Sequence, residues 1–170
     1  LLYRKNNYKF VYLKYYLLKN ILKKFNFLKK IKIGAYFPIN YEIDCLEIIK
    51  QLEKSGHKIS LPITRKGNKM DFFEWSSKDP LIIGKFGIPE PFSKKKIYPD
   101  VLLVPLVAFN KYKFRLGYGG GYYDRYIHKT KKKKKILTIG MAFSFQEVKI
   151  LPINKYDKKL DFIFTEKYIK

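Results

Sequence analysis

The stretch Arg115-Leu-Gly-Tyr-Gly-Gly-Gly-Tyr-Tyr-Asp124 constrains this chain more than any other part of it. Glycine loses more backbone freedom on ordering than any other residue, so glycines at 117, 119, 120 and 121 are costly to fix in a folded domain. Such a run is rational where the backbone must approach something closely. Phosphate fits that role, gripped by bare N–H groups at a loop that opens a helix. Arg115 opens the run with a rigid cationic fork. Asp124 closes it, placed to hold a divalent cation against the phosphate. The spacing is neither the Walker A pattern nor the dinucleotide fingerprint. From chemistry alone, a tight turn packed by tyrosines stays open as the competing reading.

The flanking segments supply a context for the loop. Val101 to Pro105 is a short apolar run that predicts a buried parallel strand. Leu106 to Phe109 continues apolar, and Asn110 to Phe114 reads as a polar turn. Tyr122 to Lys129 reads as a helix with Tyr122, Tyr123, Tyr126 and Ile127 on its apolar face. Strand, connector, glycine loop, helix is the order in which α/β folds bind ligands beyond the carboxyl ends of strands.

Elsewhere, apolar positions 10, 13, 17, 18, 21, 22, 25 and 28 form a helical stripe within residues 3–29. Ile31 to Phe37 predicts the first strand, ended by Pro38. Asp44 to Lys54 predicts a helix with an Asp44/Glu47 capping box and a Gly56 stop. Lys58 to Ile63 predicts a second strand. Residues 64–79 are polar and mixed, with Met70, Phe72, Phe73 and Trp75 as apolar anchors. Leu81 to Ile83 predicts a short strand and Gly87-Ile-Pro-Glu-Pro91 a rigid turn. Ile136 to Phe143 predicts a strand in which Gly140 marks a close approach, and Asp161 to Phe164 a last strand. Strands alternating with helices predict an α/β sandwich around a mostly parallel sheet.

Length and composition narrow the class. The 170 residues predict one domain spanning 1–170, and 46% hydrophobic content excludes a disordered chain. No apolar run approaches the roughly 18 residues of a membrane span, and no secretory signal is evident. The chain begins at Leu1, which predicts an incomplete amino-terminal helix. The single cysteine, Cys45, excludes an internal disulfide, suits a reducing compartment and reads as a small core residue. The net charge of +23 comes almost wholly from lysine, with arginine at 4, 65, 115 and 125. Lysines spread over the whole length, with abundant Ile, Asn, Tyr and Phe, point to compositional drift and solvated surface. Lys129 to Lys135 is accordingly read as a solvated loop, with weak salt-sensitive attraction to polyanions. His57 and His128 lack any metal-spaced or triad partners and read as surface residues.

Val104-Pro-Leu-Val-Ala-Phe109 followed by Arg115 to Asp124 resembles the signature of the 5-formyltetrahydrofolate cyclo-ligase family. Ala35-Tyr-Phe-Pro with Glu42-Ile, Leu61-Pro62, Gly87 to Pro91, and Leu151-Pro with Asp157 and Asp161 agree in order, so the resemblance covers about residues 31–166. It implies a three-layer α/β/α sandwich of the type shared with sugar-phosphate isomerases and CoA transferases. It implies ATP- and Mg²⁺-dependent conversion of 5-formyltetrahydrofolate to 5,10-methenyltetrahydrofolate. In that reaction the formyl oxygen attacks the γ-phosphate, the neighbouring nitrogen closes the ring, and phosphate leaves. The nucleotide site implied is Arg115, Leu116, Gly117, Tyr118, Gly119, Gly120, Gly121, Tyr122 and Tyr123, with catalytic roles for Arg115 and Tyr123. The reduced folate is implied to meet Phe37, Glu42 and Tyr118 to Tyr122, and Mg²⁺ to meet Asp124 and Asp157. A cytoplasmic monomer without obligate nucleic-acid or membrane partners is expected. The alternative is a non-catalytic member of the fold that binds nucleic acid through its lysines. One departure stands out: the family's amino-terminal Lys-x-x-x-Arg pair, which contacts ATP, has no counterpart in the first 60 residues, where Arg4 is the single arginine.

Overall fold

The computed structural model describes residues 2–8, 11–25 and 30–170. In chain order its elements are α1 (Leu2–Asn7), α2 (Tyr15–Lys24), β1 (Lys32–Gly34), α3 (Leu46–Lys54), β2 (Lys58–Arg65), β3 (Lys69–Glu74), β4 (Leu81–Ile83), β5 (Pro89–Pro91), β6 (Lys96–Ile97), β7 (Val101–Pro105), β8 (Ala108–Phe109), β9 (Arg115–Leu116), α4 (Tyr122–Lys131), β10 (Leu137–Met141) and β11 (Phe162–Phe164). The central sheet has the order β11-β10-β7-β1-β2-β3-β6. From β11 to β2 every neighbouring pair is parallel; β3 and β6 extend that edge antiparallel.

Alternation along β7 sets the layers, because successive side chains leave a strand on opposite faces. Val101 and Leu103 enter one core with Leu18, Ile21 and Leu22 of α2 and Ile48, Ile49 and Leu52 of α3. Leu102 and Val104 enter the other with Phe72, Tyr126 and Ile127, where α4 covers the sheet. The result is the expected α/β/α sandwich around a mostly parallel sheet. Cys45 is fully buried, as a core residue should be. No helix among the described residues is long and apolar enough to cross a membrane.

Several local expectations are corrected. The amphipathic stripe does not run through one helix: α1 and α2 are separate, with positions 11–14 non-helical, and positions 10 and 28 lie outside the described residues. The first strand is only Lys32–Gly34, because the chain leaves the sheet to enter a turn with Asn40 and Tyr41 at φ 49° and 60°. The Asp44/Glu47 box does not form: the N-cap of α3 is Cys45, without a side-chain cap, and Asp44 Oδ1 instead accepts the Leu46 N–H at 2.8 Å from just outside the helix. The helix does stop at Gly56 as expected: the N–H groups of Gly56 and His57 donate to Glu53 O and Leu52 O. Residues 64–79 contain β3, whose Phe72 and Phe73 pair with β2 and β6. Pro89 to Pro91 is not a free turn but one strand of a hairpin with β4.

Candidate active site

The site is built where β7 ends. Beyond Pro105, the Gln146 side-chain amide donates to Leu106 O at 3.0 Å and Val107 O at 2.8 Å, fixing the exit. The β8–β9 hairpin then turns through the predicted 110–114 segment, with buried Asn110 accepting the N–H groups of Tyr112 and Phe114 on Oδ1. This brings Arg115 back beneath the glycine loop. Gly119 and Gly121 sit at φ +87° and +62°, in the left-handed region that side chains rarely adopt. Gly121 is the N-cap of α4, so Asp124 falls in the helix's first turn.

Among the described residues, the main-chain N–H groups of 117–121 have no acceptor within the protein. They border a cleft of about 1160 Å³. The loop residues there are exposed or half-buried rather than packed into the interior. The cleft is also lined by Phe37, Glu42, Arg115, Leu116, Tyr118, Tyr122, Tyr123, Asp124 and Asp157. Every residue expected at the site from sequence is therefore brought to a single cavity, at the carboxyl ends of parallel strands. Phe72, Phe73 and Trp75 lie in the core.

Arg115 and Asp124 meet each other. The guanidinium donates to the carboxylate through both Nη atoms, at 2.8 and 3.1 Å, and lies over the Tyr123 ring at 5.9 Å. The Lys158 N–H adds a third donor to Asp124 Oδ1 at 2.9 Å. A carboxylate offers about four lone-pair positions. Three are taken on Asp124, which leaves one on Oδ2. Asp157 accepts the Asn154 N–H on Oδ2 at 2.8 Å, and its Oδ1 has no partner in the chain. Mg²⁺ is usually held by one or two carboxylates together with substrate phosphate oxygens and water. Two such carboxylates beside the unpaired loop amides fit that need. No cluster of three His, Cys, Asp or Glu side chains that could hold a metal occurs among the described residues.

Glu42 is 4% exposed, and its Oε2 accepts the Ile39 N–H at 3.0 Å across the left-handed turn. Burial pushes its carboxyl up to about 7, against the opposing pull of the Ile39 amide and the Arg4 cation. Burial, reinforced by the charge of Glu42, raises Tyr123 well above the ordinary phenol range. Tyr118 is raised for the same two reasons.

Arg4 is the residue that sequence reasoning left out. It is 3% exposed and donates to Leu106 O at 3.2 Å, to Asn40 O and to the Tyr118 hydroxyl. It thus ties α1 to the β7 exit, the Glu42 turn and the glycine loop together. The isolated arginine in a lysine-rich amino end was the available signal, masked because no Lys-x-x-x-Arg pair surrounds it. His128 is exposed, as expected, yet also lines the cleft.

Among the described residues, four buried side-chain polar atoms lack any partner: Arg4 Nε, Arg115 Nε, and the hydroxyls of Tyr122 and Tyr123. All belong to residues of this site. Buried polar groups are normally satisfied, so such a concentration marks a place prepared for a polar ligand.

A three-layer α/β domain with unpaired loop amides and two carboxylates at its strand ends belongs to the class of α/β proteins suited to binding an anionic, phosphate-bearing ligand. The model of the 5-formyltetrahydrofolate cyclo-ligase family matches residues 15–166. The 5-formyltetrahydrofolate cyclo-ligase of Escherichia coli K12 is 31% identical over 141 residues, covering 78% of this chain and 76% of the relative. That of Haemophilus influenzae is 33% identical over 135 residues, covering 75% and 72%. The structure of a 5,10-methenyltetrahydrofolate synthetase from Aquifex aeolicus superposes with a TM-score of 0.70 at 33% identity, covering 90% of this chain and 77% of that one. The corresponding Mycoplasma pneumoniae structure gives 0.66 at 25% identity, covering 88% and 81%. The chain belongs to the 5-formyltetrahydrofolate cyclo-ligase family.

Proposed function

We propose that the chain cyclises 5-formyltetrahydrofolate to 5,10-methenyltetrahydrofolate, consuming ATP with Mg²⁺ and releasing ADP and phosphate. The observation that carries this reading is the set of five amides at 117–121, without acceptors among the described residues, in a loop that lines a cleft with Glu42, Asp124 and Asp157, in a chain of this family. Phosphoryl transfer asks the protein mainly for positioning and charge neutralisation. The loop amides hold phosphate oxygens. Glu42, with Phe37 beside it, receives the amino and ring N–H donors of the pterin. The formyl oxygen then attacks the γ-phosphorus, ADP departs, the neighbouring nitrogen closes on the formyl carbon, and phosphate leaves with the oxygen. Asp124 and Asp157 would hold Mg²⁺, which would supply neutralisation of the phosphate charge. Tyr123, kept protonated by burial, presents a hydroxyl donor to the cleft.

The reading includes one catalytic domain over 1–170, acting as a monomer in the cytoplasm, where a lone buried cysteine suits the redox poise. No observation favours use of the lysine-rich surface for nucleic acid. The test is direct: the chain is mixed with 5-formyltetrahydrofolate, ATP and Mg²⁺, and the methenyl chromophore is followed. ATP-dependent growth of that absorbance is expected; its absence from a folded sample refutes the assignment.

A further inference from the structure

We propose that Arg115 works through Asp124, as the positioning residue of the metal carboxylate, and not as a direct phosphate contact. This rests on the reading of Asp124 as a Mg²⁺ ligand. The Arg115 side chain is 5% exposed and that of Asp124 17%. Each Nη of Arg115 gives one N–H to Asp124, one to each carboxylate oxygen. Its three other N–H groups, one on each Nη and one on Nε, belong to a side chain almost closed to solvent, and Nε–H is buried with no acceptor among the described residues. Tyr123 lies against the guanidinium. To turn the two N–H groups that hold Asp124 onto a phosphate, Arg115 would have to abandon a largely buried carboxylate, and breaking such a pair is strongly unfavourable. The amides of 117–121 need no such exchange.

The same contacts explain what the pair accomplishes. A planar fork on both oxygens fixes the rotation of the carboxylate, which a point charge cannot do. With Lys158 N–H on Oδ1, the open lone-pair position is confined to Oδ2. Groups that hydrogen-bond a metal-binding carboxylate set its orientation, and their loss typically weakens metal affinity about 10- to 100-fold.

The test is a double-mutant cycle on the full chain, using Arg115→Lys, Asp124→Asn and the double variant, each checked for a cooperative thermal transition. Mn²⁺ binding in the presence of ADP is measured by water-proton relaxation, and ATP binding in EDTA by calorimetry. Arg115→Lys is expected to weaken Mn²⁺ binding about 10- to 100-fold. Metal-free ATP binding should be unchanged, and the double variant should bind Mn²⁺ no worse than Asp124→Asn. Additive losses, or weakened metal-free ATP binding with Mn²⁺ affinity preserved, overturn the inference. Should Arg115→Lys fail to fold, Arg115→Gln carries the same cycle. If the unaltered chain binds no Mn²⁺, or Asp124→Asn binds it normally, the metal reading itself falls and this inference with it.

Discussion

Replacing Glu42 by glutamine should stabilise the protein at neutral pH and impair it as a folate-binding enzyme. Glu42 is 4% exposed, and burial lifts its carboxyl from 4.5 to about 7. The folded protein therefore binds this proton more tightly than the unfolded chain. Stability associated with the neutral carboxyl is fully present below pH 4.5, falls as pH rises, and is lost above about 7. The interval between the two values, at 1.36 kcal/mol per pH unit, corresponds to about 3 kcal/mol. Glutamine keeps an oxygen for the Ile39 N–H but carries no charge to desolvate. The stability difference between Glu42→Gln and the parent should be near zero at pH 4.5 and grow to about 3 kcal/mol at pH 8. Urea denaturation of both proteins across that range measures it, and taking the difference cancels every other titrating group. In the activity assay the same variant should lose about 10- to 100-fold in apparent folate affinity, the worth of a charged hydrogen bond. A stability difference that does not change with pH would refute the reasoning about Glu42.

Four further outcomes are expected. Asp124→Ala should abolish turnover in the chromophore assay and, by leaving the Arg115 cation without its carboxylate, cost about 3–5 kcal/mol in urea denaturation, with a cooperative transition kept because α4 retains its buried Tyr126 and Ile127. Gly120→Val places a Cβ 2.8 Å from two Tyr122 ring carbons, so turnover should fall at least about 100-fold through a distorted phosphate cradle. Arg4→Met keeps the apolar stem but removes three tethers, and should raise the apparent KM for ATP and folate together, by about 10-fold each. Gly140→Ala puts a methyl 2.7 to 2.9 Å from Ile163, Leu160 and Leu106, and should cost about 1–3 kcal/mol in urea denaturation without a specific effect on catalysis.

What was legible in the sequence is what short-range chemistry dictates. The glycine loop, the apolar Val101–Pro105 run and the helix opened by Tyr122 follow from residues within a few positions of one another, and all three stand where expected. The Gly140 constriction was legible for the same reason: glycine inside a strand has few uses. The first strand was overextended because Ala35 to Phe37 look like strand residues. The deciding influence is distant: the segment must peel away to carry Glu42 into the cleft, through left-handed Asn40 and Tyr41 that no local preference announces. β3 was missed because Met70, Phe72 and Phe73 break simple alternation; both faces of that strand are covered in the folded sheet. Arg4 was missed because its partners, Asn40, Leu106 and Tyr118, lie 36, 102 and 114 residues away.

Those long-range ties bear on how the two substrates meet. Leaving a buried donor unpaired costs about 1–3 kcal/mol, so four unpaired atoms are a substantial local debit in a domain of marginal stability. Among the described residues they do not scatter through the core but fall on Arg4, Arg115, Tyr122 and Tyr123. Glu42 adds a carboxyl held in surroundings that oppose its charge. The protein thus concentrates its unfavourable terms on one cavity, where a ligand rich in donors and acceptors can offset them. Arg4 spans the Glu42 turn and the Tyr118 loop, so ordering either side for its ligand orders the other. Positive coupling between nucleotide and folate follows from that bridge: each should bind more tightly when the other is present, and by reciprocity the factor must be equal in both directions.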